Sequence, residues 1–311
     1  MKPLDAVAAR FIKLGRKGEW EGDCINSSPG TIRLGFNNPH HEACLAGDWK
    51  MVTQYYLNKE KKKLGKATET TNQIRDFYTL DQSTIWITFF QKKMFWCFAS
   101  SEVTKLKNGN RVRETISGWS DKSIGGKVLF IEQLSGLLTK TQGFRGTICS
   151  VKAIDYLKCR LCDEVLPSVT NAVEQLRDLT KSLVPLICGM NWKDFELLCD
   201  LIFANAGWQR QSTLGGTEKS IDLDLMSPVT HRRLFVQVKS ESTKETFQSY
   251  LKAFAEMEQY DEMYFVVHSP KGDTSTWSND CDHKIKVFDA EDIARLTVSA
   301  GLTDWLIKKC S

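Results

Sequence analysis

The apolar positions of this chain change period along its length, and each period predicts a different kind of structure. In the first half short β-prone runs dominate. Thr84-Ile85-Trp86-Ile87-Thr88-Phe89-Phe90 and Met94-Phe95-Trp96-Cys97-Phe98-Ala99 flank Gln91-Lys92-Lys93, which predicts a hairpin with a polar connection of three residues. Residues 31–36 read as another strand and residues 147–151 as a closing one. Residues 48–56 and 70–78 read as helices, and the basic stretch 59–66 as a surface loop or helix end. Residues 1–17 form a short amphipathic stretch.

From residue 152 to 186 the period becomes helical. Ile154, Leu157, Leu161, Val165, Val169, Val173, Leu176, Leu179 and Leu183 recur every three or four positions, with Pro167 and Pro185 expected to punctuate the run. This predicts a helical connector packed on one or both neighbours. The remainder alternates helix and strand in the order α-β-β-α-β-α. Residues 191–206 form the first helix, with Asn191 as N-cap, a stripe of Trp192, Phe195, Leu198, Cys199 and Ile202, and Gly207 as the stop. Strands follow at 220–226 and 233–239, a helix at 246–260, strands at 263–267 and 284–288, and a closing helix at 290–300.

Two of those strands carry side chains that a core would not select. In Ile221-Asp222-Leu223-Asp224 both carboxylates share one face, and in Phe235-Val236-Gln237-Val238-Lys239 so do Phe235, Gln237 and Lys239. Such a pattern suits a half-exposed sheet surface. It equally suits a hard-cation site, because oxygen ligands hold Mg²⁺ through one or two carboxylates completed by waters and phosphate, with a lysine beside it to orient water or offset charge. Glu196 lies at the edge of the helix stripe, within reach of strand ends, and Leu214-Gly215-Gly216-Thr217-Glu218-Lys219 makes a glycine-bearing approach. By spacing alone Asp222 and Asp224 are equivalent.

Composition narrows the class. With 311 residues, 41% apolar and 26% charged, the chain has material for a core and room for two domains. A net charge of +4 permits nucleic-acid binding without requiring it. The ten cysteines are scattered, and no apolar run reaches the length of a membrane span. These features lead us to expect a cytoplasmic protein with reduced thiols and no membrane partner. Cys159-x-x-Cys162 has no second pair at zinc spacing, and His40-His41 with Cys44 reads as a polar loop.

The order helix-Glu196, Gly215-Gly216, Ile221-Asp222, then Val236-Gln237-Val238-Lys239 resembles the PD-(D/E)xK nuclease superfamily, in its Mrr-like restriction endonuclease branch, where the last motif is Q-x-K. Thr217-Glu218-Lys219-Ser220 departs from the acidic and glycine residues usual in that loop. The resemblance implies an α/β nuclease domain with a mixed sheet flanked by helices, over residues 189–311. It implies Asp222 and Gln237 as ligands of Mg²⁺, with Mn²⁺ as substitute, Lys239 as the residue that polarises the attacking water, and Glu196 as an assistant. DNA would be the partner, with Arg232, Arg233 and Lys244 on its phosphates. Cutting both strands would call for a homodimer or a DNA-induced assembly.

The first half resembles PUA/EVE-like domains, through residues 32–36, Asn72-Gln73-Ile74-Arg75-Asp76-Phe77 and the Trp86–Trp96 hairpin, with Ser83-Thr84 where those domains often carry Gly-Asp. That resemblance implies a β-rich α+β recognition domain over residues 1–151, joined to the nuclease by the connector at 152–188. Some such domains accept a flipped, modified base between aromatic side chains. Trp20, Phe36 and Trp119 are the candidates here, whereas Trp86 and Trp96 sit in apolar runs and are expected in the core. The expected activity is restriction of foreign DNA, base-modified DNA included. Alternatives are a structure-specific or ligand-activated nuclease, and a non-catalytic nucleic-acid-binding protein that keeps the nuclease fold.

Overall fold

The longest strand, Arg233–Thr243, places Leu234, Val236 and Val238 in one hydrophobic cluster and Phe235 in another, so strict alternation puts a core on each side of it. The computed structural model describes residues 2–36, 38–211, 221–277 and 282–311. Contacts divide the chain into two units, Met1–Thr170 and Asn171–Ser311.

The first unit contains β1 (Ala8–Ile12), α1 (Glu21–Asn26), β2 (Thr31–Leu34), α2 (His41–Leu45), α3 (Trp49–Asn58), α4 (Leu64–Thr79), β3 (Thr84–Phe90), β4 (Lys93–Phe98), β5 (Thr104–Lys105), β6 (Arg111–Glu114), α5 (Gly136–Thr139), β7 (Ile148–Ser150) and α6 (Ile154–Cys162). One sheet has the order β4-β3-β1-β7 and a smaller one β2-β6-β5. The larger sheet is packed on both faces: Ile12, Trp86 and Cys97 meet α3 and α4 through Val52, Tyr56, Ile74 and Phe77, while Phe11, Ile85, Ile87 and Met94 meet Leu157 and Leu161 of α6.

Several expectations are revised here. The hairpin connection is two residues, Gln91 and Lys92, both at positive φ (48° and 62°), because a left-handed turn matches the twist of its strands. Residues 8–12, expected within an amphipathic stretch, form a central strand. The helix expected at 70–78 starts at Leu64, because fully buried Ala67 anchors its first turns. Trp86 is buried, and Trp96 donates its Nε1–H to the Lys122 carbonyl at 2.7 Å.

Helix α7 (Pro167–Cys188) crosses the division between the units. Pro167 starts it, as expected. Pro185 lies inside it and does not punctuate it; the last turn closes through the Gly189 N–H to the Pro185 carbonyl at 3.0 Å. Leu183 and Ile187 join the second unit's core, whereas Val173, Leu176 and Leu179 are exposed, so the expected stripe is only partly packed.

The second unit continues with α8 (Trp192–Asn205), β8 (Gln209–Arg210), β9 (Leu223–Met226), β10 (Arg233–Thr243), α9 (Lys244–Ala255), β11 (Glu262–Lys271), β12 (Ile285–Phe288), α10 (Ala290–Ser299) and α11 (Thr303–Cys310). The sheet order is β12-β11-β10-β9-β8, parallel from β10 through β12 and antiparallel through β9 and β8. Helices cover both faces of this mixed sheet: α8, α10 and α11 on the Val236 side, α9 on the Phe235 side.

Asn191 caps α8 as expected, accepting from the Lys193 and Asp194 N–H groups. The core stripe is Phe195, Leu198, Cys199, Ile202 and Phe203. Trp192, expected to join it, stands at the helix start and is 62% exposed. Gly207, at φ 89°, ends the helix in the left-handed conformation that favours glycine. Helix α11 and the short edge strand β8 were not anticipated.

Candidate active site

The site is built where the β9–β10 ladder stops. The paired register ends at Leu223 opposite Val236, so Asp222 falls in a bend one residue before β9. Beyond that point its side chain replaces the missing strand. Asp222 Oδ2 accepts from the Val238 N–H at 2.8 Å and from the Gln237 side-chain Nε2. The strand expected from residue 220 is thus shorter. Ile221, which strand alternation with the two carboxylates would put on the face of Leu223, packs instead with the cluster on the opposite side of the sheet.

Gln237 lies in the central strand and is 1% exposed. A buried amide ordinarily has partners for both ends. Its Nε2 has Asp222, but its Oε1 has no hydrogen-bond partner among the described residues. Lys239 follows on the same face, its Nζ 3.7 Å from Asp222 Oδ2 and 5.5 Å from the Tyr250 ring centre, which holds the ammonium by charge on one side and π electrons on the other.

Glu196 comes from α8, beside the core stripe. Burial and the neighbouring Asp222 charge raise the proton affinity of its carboxyl, and Arg210 opposes them. Arg210 Nη2 lies 3.7 Å from Glu196 Oε1 and donates to the Asp222 carbonyl at 3.2 Å, while Nη1 lies 3.5 Å from Asp200 Oδ2. Neither Arg210 nor Asp200 was singled out from the sequence. The signal was available in part, since Glu196 and Asp200 are one helical turn apart and share a face.

Asp224 has a separate role. Its Oδ2 accepts from Arg233 Nη2 at 2.6 Å, and the Arg233 guanidinium also sits 4.9 Å from the Tyr260 ring centre. The equivalence of the two aspartates in the sequence is therefore broken: Asp222 faces Gln237 and Lys239, and Asp224 neutralises an arginine.

The three basic residues expected on DNA have internal partners. Arg233 is held by Asp224, Arg232 Nη1 lies 3.3 Å from Glu262 Oε1, and Lys244 Nζ donates to the Thr276 carbonyl at 3.1 Å. Arg233 opens β10 and Arg232 precedes it, with Arg233 six residues from Lys239, or about 20 Å at strand rise. Their basic turn is at the far end of the strand from the site. Gly215, Gly216 and residues 217–220 lie outside the described residues.

In the first unit, Trp20 and Phe36 line one cavity of about 500 Å³ together with Lys13, Arg16, Asn110 and Arg145. Gly35 is needed beside it, because a Cβ there would fall 2.4 Å from the Trp20 ring. Trp119 is not among the residues lining this cavity. Its Nε1–H donates to the Thr31 carbonyl at 3.0 Å, a contact that ties a loop to β2.

Among the described residues no group of three or more His, Cys, Asp or Glu side chains is placed to hold a metal ion. The donor set around Asp222 is of another kind: one carboxylate, an amide oxygen and a second carboxylate from α8. It fits a hard divalent cation that keeps waters and takes its other ligands from a phosphate. The partnerless Gln237 Oε1 is the observation behind that fit.

Residues 187–297 match the family model Mrr_cat, described as a restriction endonuclease. This stretch is an Mrr-type restriction endonuclease domain. The resemblance read from Glu196, Asp222, Gln237 and Lys239 agrees with it. The family implies a DNA-cleaving hydrolase, and its domains generally use divalent metals. Among solved structures the chain is similar to the "DNA modification-dependent restriction endonuclease AspBHI", at 12% identity and TM-score 0.29, covering 89% of this chain and 78% of that one. No curated protein matches the chain. Among the described residues no helix is long and apolar enough to cross a membrane.

The restriction endonuclease domain makes one substitution informative. Gln237→Glu replaces the amide that donates to Asp222 by a second carboxylate at a buried position. Two such charges repel unless a cation lies between them. The variant is expected to melt at lower temperature than the parent in EDTA, by about 1–3 kcal/mol of stability, and to regain that loss in Mg²⁺. Equal melting temperatures in EDTA and Mg²⁺ would show that no cation binds between these two carboxylates.

Proposed function

We propose that the protein is a Mg²⁺-dependent DNA endonuclease, with Mn²⁺ as substitute, that restricts foreign DNA, and that its first unit is the target sensor. The observation that carries the catalytic reading is the convergence of Asp222, Gln237 and Lys239 at the end of the β9–β10 ladder within the Mrr-type domain. Asp222 and Gln237 would hold the metal. Bound there, Mg²⁺ would lower the pKa of a water and neutralise charge on the scissile phosphodiester. Lys239, aligned by Asp222 and Tyr250, would hold and orient the attacking water. Glu196, with its raised proton affinity, would sit at the edge of the same site and accept a hydrogen bond from that water or its neighbour.

The sensor reading rests on the PUA/EVE-like resemblance over residues 1–151 and is supported by the cavity that gathers Trp20 and Phe36 with Lys13, Arg16 and Arg145. Aromatic and cationic groups in one recess suit a base that has left its stack, with its phosphate on the rim. Trp119 drops to a supporting role in this reading. A single Mrr-type site cuts one strand, so double-strand cleavage would proceed through a homodimer or an assembly formed on DNA.

The test uses matched plasmids, unmodified and carrying modified cytosines, incubated with the protein in Mg²⁺ or EDTA. Cleavage of modified plasmid in Mg²⁺ alone is the expected result. Equal cleavage of both plasmids would remove the modified-base reading and keep the nuclease. Cleavage of neither, with clean preparations over a range of salt, would remove the nuclease itself.

A further inference from the structure

One cation of the site has no place in the catalytic reading, and its geometry is unusual. The Arg210 guanidinium reaches two carboxylates of α8, Glu196 and Asp200, and the backbone of the catalytic aspartate. Nη1 lies 3.5 Å from Asp200 Oδ2, and Nη2 lies 3.7 Å from Glu196 Oε1 and 3.2 Å from the Asp222 carbonyl oxygen. Its own backbone is fixed, since Arg210 pairs with Leu225 in β8–β9 and the Gln211 N–H continues that pairing to the Asp224 carbonyl at 2.9 Å. The group is largely enclosed, with its side chain 20% exposed and its Nε buried without a partner among the described residues. A planar fork with five donors on three nitrogens can span three acceptors on two elements; an ammonium has its three donors on a single nitrogen and cannot spread them over the same distance.

What the span achieves follows from the two parts it ties. Asp222 sits in a bend, outside the sheet ladder, so the ladder does not fix the position of its main chain. Glu196 is carried by a separate helix, and two carboxylates close together drive each other apart. We propose that Arg210 is the positioning residue of this site: by clasping Glu196 and Asp200 of α8 to the Asp222 peptide, it sets the spacing of the two carboxylates and hence the affinity for the divalent cation. The inference rests on the metal-dependent nuclease reading for its consequence, but the clasp itself is testable without metal.

The experiment compares Arg210→Ala, Arg210→Lys and the parent by three measurements. Mn²⁺ binding is followed by electron paramagnetic resonance, backbone amide exchange at Val238 is followed in EDTA, and KM for DNA is separated from kcat in cleavage. Removing an outer-shell partner of a metal site ordinarily weakens binding about 10–100-fold. Arg210→Ala is expected to weaken Mn²⁺ binding by that range, to speed exchange of the Val238 amide, and to lower kcat at limiting metal with KM for DNA unchanged. Arg210→Lys is expected to recover part of each effect. Unchanged Mn²⁺ affinity and Val238 exchange in Arg210→Ala would overturn the proposal. So would uniform loss of melting temperature, DNA binding and activity that Arg210→Lys does not relieve, since that is the signature of a merely structural arginine. If the parent itself binds no Mn²⁺ and cleaves nothing, the nuclease reading fails; the Val238 exchange then decides the clasp on its own.

Discussion

Asp222→Ala is expected to lower DNA cleavage by roughly 10³-fold, on the scale of removing a principal electrostatic element of a transition state, while leaving the second unit folded. Asp222 is a quarter exposed and its partners are Gln237, Val238 and Lys239, all held independently by β10. Asp224→Ala is expected to do the reverse. It strips the acceptor from Arg233, a partly buried charge-assisted bond of the kind worth about 1.5–3 kcal/mol, yet among the described residues the Asp224 side chain has its hydrogen bond and ion pair with Arg233 and none with Gln237 or Lys239. Its melting temperature should fall, and the activity of the folded fraction should stay within a few-fold of the parent. Two aspartates separated by one leucine thus give opposite phenotypes. Thermal melts and plasmid cleavage on the same preparations measure both. If Asp224→Ala is the inactive but stable variant, the assignment of ligand is reversed.

Lys239→Ala should cost about 10²–10³-fold in kcat and little else. The side chain is 31% exposed, and its ion pair with Asp222 is long, so stability should shift by less than about 0.5 kcal/mol. Because it is a cation, it adds nothing to a cation's ligand set. Mn²⁺ binding should therefore persist, or tighten slightly as a positive neighbour is lost. Lys239→Arg should not restore the rate, since a planar guanidinium cannot reproduce a compact ammonium between Asp222 and Tyr250. The decisive measurement is single-turnover cleavage at saturating Mg²⁺ alongside Mn²⁺ binding. Loss of metal binding in step with rate would show that Lys239 organises the site and does not act on the water.

Much of the nuclease domain was legible along the chain. Helix α8 with its cap and stop, the two motif strands, and the apolar strand β11 all announce themselves through period, because each buries a regular set of positions. The Q-x-K order alone placed Gln237 and Lys239 on one face, and the alternation of β10 bears this out. Ends were less legible. Strand β10 runs four residues past Lys239, and α4 begins six residues earlier than its apolar period, because tertiary burial of Ser242 and Ala67 extends each element. The two-residue strand β8 was invisible, being too short to show a period.

Local pattern determined which residue types stand together on a face: two carboxylates on one short strand, an amide and an ammonium on the next, a glutamate at the margin of a helix. It had no means of ranking Asp222 above Asp224, or of finding Arg210. Those choices depend on where a ladder ends and on which long side chain from a distant element reaches across it. The bend that takes Asp222 out of the sheet, the Arg233 that claims Asp224, and the guanidinium joining α8 to the Asp222 peptide involve partners 9 to 16 residues or more apart. Side-chain periodicity reports which way a residue faces; only the packed fold decides what it meets there.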